Sequence, residues 1–161
     1  MTSLNIKNTK NFMNTLLVTE QFDSFSVEEV NITTFNTFHI DGRIEQEFFD
    51  LEEREALPVF SIWKDIRPIC FQLIKGKKTP VSFKVVLHAS PELLARLSSD
   101  DNCTITANLI HSLVLNIRYD NGKVSCITAS SLTTFIPDKS IDNIWDTYIK
   151  KLFSKLQIDY E

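Results

Sequence analysis

Glycine is scarce in this chain: Gly42, Gly76 and Gly122 are the only three in 161 residues. A Walker loop or a dinucleotide fingerprint needs several glycines close together. The run Gly76-Lys77-Lys78-Thr79 has Phe71 at the position five residues upstream where a P-loop carries its first glycine, so a P-loop reading is excluded. Also missing are a Gly-x-Ser-x-Gly elbow, a Cys-x-x-Cys pair and a His-Glu-x-x-His pair, which removes the commonest hydrolase, redox and zinc-protease signatures. No Asp or Glu is followed two positions later by Lys, so a common metal-dependent nuclease signature is missing too. Long apolar runs are lacking, and nothing approaches the ~20 residues of a membrane helix. The opening MTSLNIKNTKNF has no signal-peptide core, so a soluble, cytoplasmic protein with no membrane partner is expected. Cysteine is limited to Cys70, Cys103 and Cys126. An odd, widely spaced set suits reduced thiols better than a disulfide framework. Positive charge is not in excess: 17 Lys and Arg stand against 21 Asp and Glu, a net charge of −4. A general nucleic-acid coat needs the opposite balance.

What remains is an ordinary globular composition, 43% hydrophobic and 24% charged, in a length that suits one domain spanning residues 1–161. Leu4-Asn5-Ile6 alternates as a short strand. Asn8 or Thr9 can cap a helix carrying Phe12, Met13, Leu16 and Leu17. Residues 22 to 49 are rich in Phe, Thr, Val and Ile and read as β structure. Asp41-Gly42 there predicts a tight hairpin turn, with Phe35 opposite Phe48 and His39 opposite Ile44. Asp50 and Glu53 form a capping-box pattern opening a short acidic helix that stops before Pro58. Ile62, Ile66, Ile69, Cys70 and Leu73 fall at helical spacing, with Pro68 kinking that helix or lying near its start, and Gly76 ending it. The segment VSFKVVLH alternates as a strand, and Ser90-Pro91 opens a short helix. Asn121-Gly122 predicts a type I′ hairpin pairing Tyr119 with Val124, Ile117 with Cys126 and Leu115 with Thr128 on the core face. A final helix from about Ser140 carries Ile141, Ile144, Trp145, Tyr148, Ile149, Leu152 and Leu156 as a broad apolar stripe. Hairpins outnumber crossovers, so the predicted class is α+β: a mainly antiparallel sheet with helices packed on it.

Four groups of residues merit weighing. Lys75, Lys77, Lys78 and Lys84 are the candidate binding residues. They read as a solvated helix end and strand edge or, on one shared face, as a phosphate contact. The C-terminal end of a helix repels anions, which argues for the former. His39 and Asp41 pair an imidazole with a carboxylate but have no evident nucleophile to activate. The acidic stretch Asp41, Glu45, Glu47, Asp50, Glu52, Glu53 and Glu55 has only Arg43 and Arg54 against it, and reads as a solvated face able to dock a basic partner. His88, Cys103, His111 and Cys126 are irregularly spaced for a metal. No catalytic residue, metal site or cofactor is assigned.

Several pieces together, ITTFNTFHIDGRIEQEFFD, the run from Trp63 through Arg67-Pro68 to Pro80, LNIRYDNG, and Asp138-Lys139 before Trp145-Asp146, resemble an uncharacterised family of short proteins of anaerobic Gram-positive bacteria, a domain of unknown function. That resemblance implies no activity, ligand or catalytic residue. The element order is also similar to a processivity-clamp domain, β-α-β-β-β-β-α-β-(α)-β-β with an added C-terminal helix, if Val59–Ser61 counts as a strand.

The leading expectation is a non-catalytic binding or interaction domain whose partner is a protein or a second copy of the chain. Two alternatives stand beside it. One is a nucleic-acid-associated clamp-like module using the four lysines, although nucleic acid is not the expected partner. The other is a small enzyme with a site assembled from scattered residues such as His39, Asp41, Arg67 and Lys75.

Overall fold

A computed structural model describes all residues, 1–161. Six strands form one sheet: β1 (Ser3–Asn5), β2 (Ser26–Thr33), β3 (Thr37–Asp41), β4 (Ser82–His88), β5 (Ile110–Asp120) and β6 (Lys123–Leu132). Their order is β1-β6-β5-β4-β2-β3, and every neighbouring pair is antiparallel. The helices are α1 (Thr9–Leu17), α2 (Leu51–Arg54), α3 (Trp63–Ile74), α4 (Pro91–Ser98) and α5 (Ser140–Lys155). The protein is an α+β fold built on an antiparallel sheet, and no helix is long and apolar enough to cross a membrane.

Local signals explain most element ends. The Asn8 side chain accepts the Asn11 N–H at 3.0 Å and starts α1. Ser90 does the same for Leu93 at 3.1 Å, with Pro91 in the first turn of α4. At α2 the Glu53 carboxylate accepts the Asp50 N–H at 3.3 Å, one half of a capping box. Pro68 lies inside α3 rather than at its start, and the carbonyl it leaves unpaired belongs to exposed Lys64, where water can reach it. Asp138 opens α5: its carboxylate accepts the Ser140 N–H at 2.7 Å and the Thr104 hydroxyl, and hydrogen bonding from the Ser140 side chain, then Thr104 and the Ser140 N–H, holds its pKa below the ordinary carboxylate value.

The second hairpin matches the register expected from Asn121-Gly122. Tyr119 pairs with Val124, Ile117 with Cys126 and Leu115 with Thr128, and both turn residues have positive φ, 51° and 76°. The first hairpin differs from expectation. Its turn lies at residues 34–36, where Thr33 pairs with Thr37, and not at Asp41-Gly42. Gly42 instead passes against β2, its N–H bonded to the Glu28 carbonyl at 2.8 Å. A Cβ there would lie 1.8 Å from the Val27 carbonyl oxygen. Gly42 therefore serves close backbone approach, not a turn, and the pairings Phe35–Phe48 and His39–Ile44 do not form. Val59–Ser61 is not a strand either: Phe60 bridges Arg43 and Ile62 bridges Ser26 in isolation. The clamp-like strand order lacks that element, and the six strands lie in a single sheet.

Strand alternation divides the sheet into two unlike faces. One carries Val30, Ile32, Phe83, Val85, Leu87, Leu113, Leu115, Ile117, Val124 and Cys126, all buried, under α1, α3 and α5. Phe12, Phe22 and Phe153 meet there with ring centroids 6.1–6.5 Å apart. Two indoles are buried and satisfied: Trp63 donates to the Leu16 carbonyl and Trp145 to the Val114 carbonyl, each at 2.9 Å. The C-terminal helix is core, and its stripe includes Phe153 in addition to the expected residues. Cys70, Cys103 and Cys126 are unpaired. Burial pushes the Cys70 thiol up to about 12 and the Cys126 thiol higher still.

Candidate functional site

Between β3 and α3 the chain leaves the body. At the neck the Ile44 N–H reaches the Val59 carbonyl at 2.9 Å, and Ser61 N–H reaches the Gly42 carbonyl at 2.7 Å. No apolar side chain between Asp41 and Trp63 belongs to the core or packs against it. The enclosed arm holds a short 3-10 turn (Gln46–Phe48) and α2, neither with a buried residue. Its apolar side chains face solvent: Phe48 is 86% exposed, Leu51 77% and Val59 64%. Interspersed with them along the chain are exposed carboxylates at Glu45, Glu47, Asp50, Glu52, Glu53 and Glu55. The arm's own cation turns inward, since Arg54 Nε donates to the Phe49 carbonyl at 3.1 Å. The acidic run expected as a solvated face is thus solvated, and it also exposes Phe48 and Leu51.

Where the neck joins the sheet, polar groups gather at the end of the uncovered face. A cavity of about 310 Å³ is lined by Glu28, Glu29, His39, Asp41, Arg43 and Phe60. The β-bulge between Val27 and Glu29 brings both glutamates to one corner. Each group already has a partner. Glu28 meets His88 Nε2 at 3.2 Å, Glu29 meets Lys84 Nζ at 2.9 Å, and His39 Nδ1 meets Asn31 Oδ1 at 2.7 Å. The Asp41 carboxylate accepts the Arg43 N–H at 3.0 Å. Arg43 lies over the Phe60 ring at 5.6 Å, and Phe60 meets His88 edge-on. No trio of His, Cys, Asp or Glu side chains has metal-binding geometry.

The residues named from sequence are dispersed. His39 and Asp41 do come together, in that corner, but without a nucleophile beside them. Arg67 is elsewhere and fully engaged: Nε and Nη2 grip the two Asp23 oxygens at 2.8 and 3.1 Å, and Nη1 reaches the Val18 carbonyl at 3.3 Å. That bidentate bond raises the arginine pKa and ties the α1–β2 connection to α3. Lys75, Lys77 and Lys78 are exposed in the connection from α3 to β4. Lys84 points from the uncovered sheet face, opposite the helices, and is ion-paired. Sequence reading missed Glu28, Glu29, Phe60 and Arg118, and weighed His88 only as a metal ligand beside Cys103, His111 and Cys126, not as a partner of Glu28. Alternation in VSFKVVLH was the available signal for Lys84 and His88, and the Asn121-Gly122 register for Arg118, which faces Ser125.

Residues 15–161 match a family described as Family of unknown function (DUF5721). The chain belongs to this family. No curated protein and no solved structure matches the chain.

Proposed function

We propose that this member of the family is a non-catalytic interaction domain, and that the arm from Ile44 to Phe60 docks a basic protein segment. The observation that carries this reading is the arm's anatomy. It supplies nothing to the core yet exposes Phe48 and Leu51 on a segment whose carboxylates are also exposed. Aromatic anchors within a charged rim are the make-up of interface hot spots, while exposed apolar patches are otherwise kept small in monomers. A partner with Lys or Arg flanking an apolar anchor fits both features, and charge would speed its approach. The satisfied hydrogen bonds of the nearby His39–Asp41 corner support binding over catalysis.

Fluorescence polarisation with labelled peptides that alternate Lys or Arg with Leu tests this. Binding should weaken with salt and fall about tenfold or more in a Phe48→Ser, Leu51→Ser double variant, the loss expected of a hot spot. Equal binding by the double variant, or no preference over an acidic peptide, would contradict it. A single domain in a reducing, cytoplasmic setting in an anaerobic Gram-positive bacterium belongs to the same proposal. It is supported by one contiguous core cluster, three unpaired thiols and the family resemblance.

A further inference from the structure

We infer that the uncovered face of the sheet holds a binding site for a single tetrahedral oxyanion, inorganic phosphate or the terminal phosphate of a small phosphomonoester, between Lys84 and Arg118. Strand register places one polar residue from every strand in a continuous row. His39 faces Asn31, Asn31 faces Lys84, Lys84 faces Arg118, Arg118 faces Ser125, and Ser125 faces Asn5. At its centre two cations stand directly opposite each other on neighbouring strands. Like charges in that position repel; Glu29 offsets the charge of Lys84, and no side chain pairs with Arg118, whose charge a bound anion would offset.

The charges around the pair are unevenly used. Lys84 gives one proton to Glu29 on the β2 side, leaving two donors. Arg118 is exposed and makes no hydrogen bond or ion pair with its side chain. Its five N–H donors, in the fork geometry that suits phosphate oxygens, are all free. A cavity of about 270 Å³ opens between the two side chains, lined also by Asn31, Ser82 and Thr33. The Ser82 hydroxyl has no partner in the protein. The Asn31 carbonyl oxygen is held by His39, which leaves its amide N–H groups to donate. An oxyanion placed there meets a guanidinium, an ammonium, an amide and a hydroxyl.

The acids nearby decide the size of the ligand. Asp120 lines the same cavity, and Glu28, Glu29 and Asp41 close the β3 end of the face. A polyanion would run across these carboxylates, whereas a single phosphate group fits between the two cations. The exposed Lys75, Lys77 and Lys78 lie outside this row and are not part of the site.

Amide and side-chain NMR shifts of the intact protein, titrated with inorganic phosphate against chloride at matched ionic strength, test the inference. Saturable shifts at Asn31, Ser82 and Arg118 are expected, and the apparent affinity should fall about tenfold or more in Arg118→Gln and in Lys84→Gln, as lost charge-assisted bonds require. A Lys75→Ala, Lys77→Ala, Lys78→Ala variant should bind like the parent. Parallel titrations with a phosphorylated sugar and with a single-stranded oligonucleotide separate the sources. Tighter binding of the sugar phosphate assigns a small phosphomonoester; equal binding assigns free phosphate. Melting temperature gives a second readout: phosphate should raise it more in the parent than in Arg118→Gln, by linkage. Absence of saturable shifts, unchanged affinity in Arg118→Gln, or oligonucleotide binding that exceeds both small ligands with a steep salt dependence would overturn it.

Discussion

The helix α5 and the arm from Ile44 to Phe60 put their large apolar side chains to opposite use. In α5, Ile141, Trp145, Ile149 and Phe153 are fully buried. In the arm, Phe48 and Leu51 are almost as exposed as free side chains. Both segments carry large apolar residues among charged ones, although only α5 repeats them at helical spacing. In the folded protein the difference is whether a complementary surface lies within the same chain. α5 lies over β6, where Thr128 and Ser130 donate to Asp146 and Asp142. The arm has no such surface and is tied only at its neck.

Truncation in the two regions should therefore have unequal costs. Trp145→Ala removes a fully buried indole and its bond to Val114, and should cost ~3–5 kcal/mol, as large core truncations do. Equilibrium denaturation measures this, and a change below about 1 kcal/mol, within the range of ordinary surface-like substitutions, would break the comparison. Gly42→Ala tests the point where body and arm meet. A Cβ at 1.8 Å from the Val27 oxygen forces the neck away from β2, and the cost should be ~1–3 kcal/mol, typical of overpacking. Were Gly42 only a turn residue on the surface, the same substitution would be mild.

Alkaline titration sharpens the contrast from the core side. The unfolded chain releases the Cys70 proton near the ordinary thiol value of 9, while the folded protein holds it until about 12. The folded state therefore binds more protons over that interval, and stability should decline as pH rises from 9 toward 12. A Cys70→Ala variant should lose stability less steeply over this range. In the native protein at mild pH a thiol reagent should modify Cys103 first, because Cys70 and Cys126 are buried. Rapid native labelling of all three would contradict that burial. The smallest effect is expected in the arm: Phe48→Ser with Leu51→Ser should alter stability by no more than about 0.5 kcal/mol, as for surface positions.

Local interactions were legible in the sequence, and long-range ones were not. Asn121-Gly122 fixed a hairpin register correctly because a two-residue turn constrains only its own flanking strands. Asp41-Gly42 misled because the demand on Gly42 comes from Val27, a contact with a different strand. The caps at Asn8, Ser90 and Asp50 lie within a few residues of the groups they bond. The pairing of Lys84 with Arg118 is set by β4–β5 register across the α4 excursion, which no short-range pattern encodes. Likewise Arg67 looked available for chemistry until Asp23 and Val18 were seen to occupy all its reach. The acidic composition of the arm was plain, but the exposure of Phe48 and Leu51 was not, since Phe and Leu are among the residue types most often buried.

The most direct test of the arm as a docking element separate from the folded body is a loop replacement. The Ile44 N–H and Val59 carbonyl are 2.9 Å apart, so residues 45–58 can be exchanged for a short Gly-Ser linker without stretching the neck. Thermal unfolding of that variant should stay cooperative, with a melting temperature within about 3 °C of the parent, the shift that roughly 1 kcal/mol produces in a domain of this size. Binding of the basic peptide should be lost. Loss of the cooperative transition, or retained peptide binding in a folded variant, would contradict it.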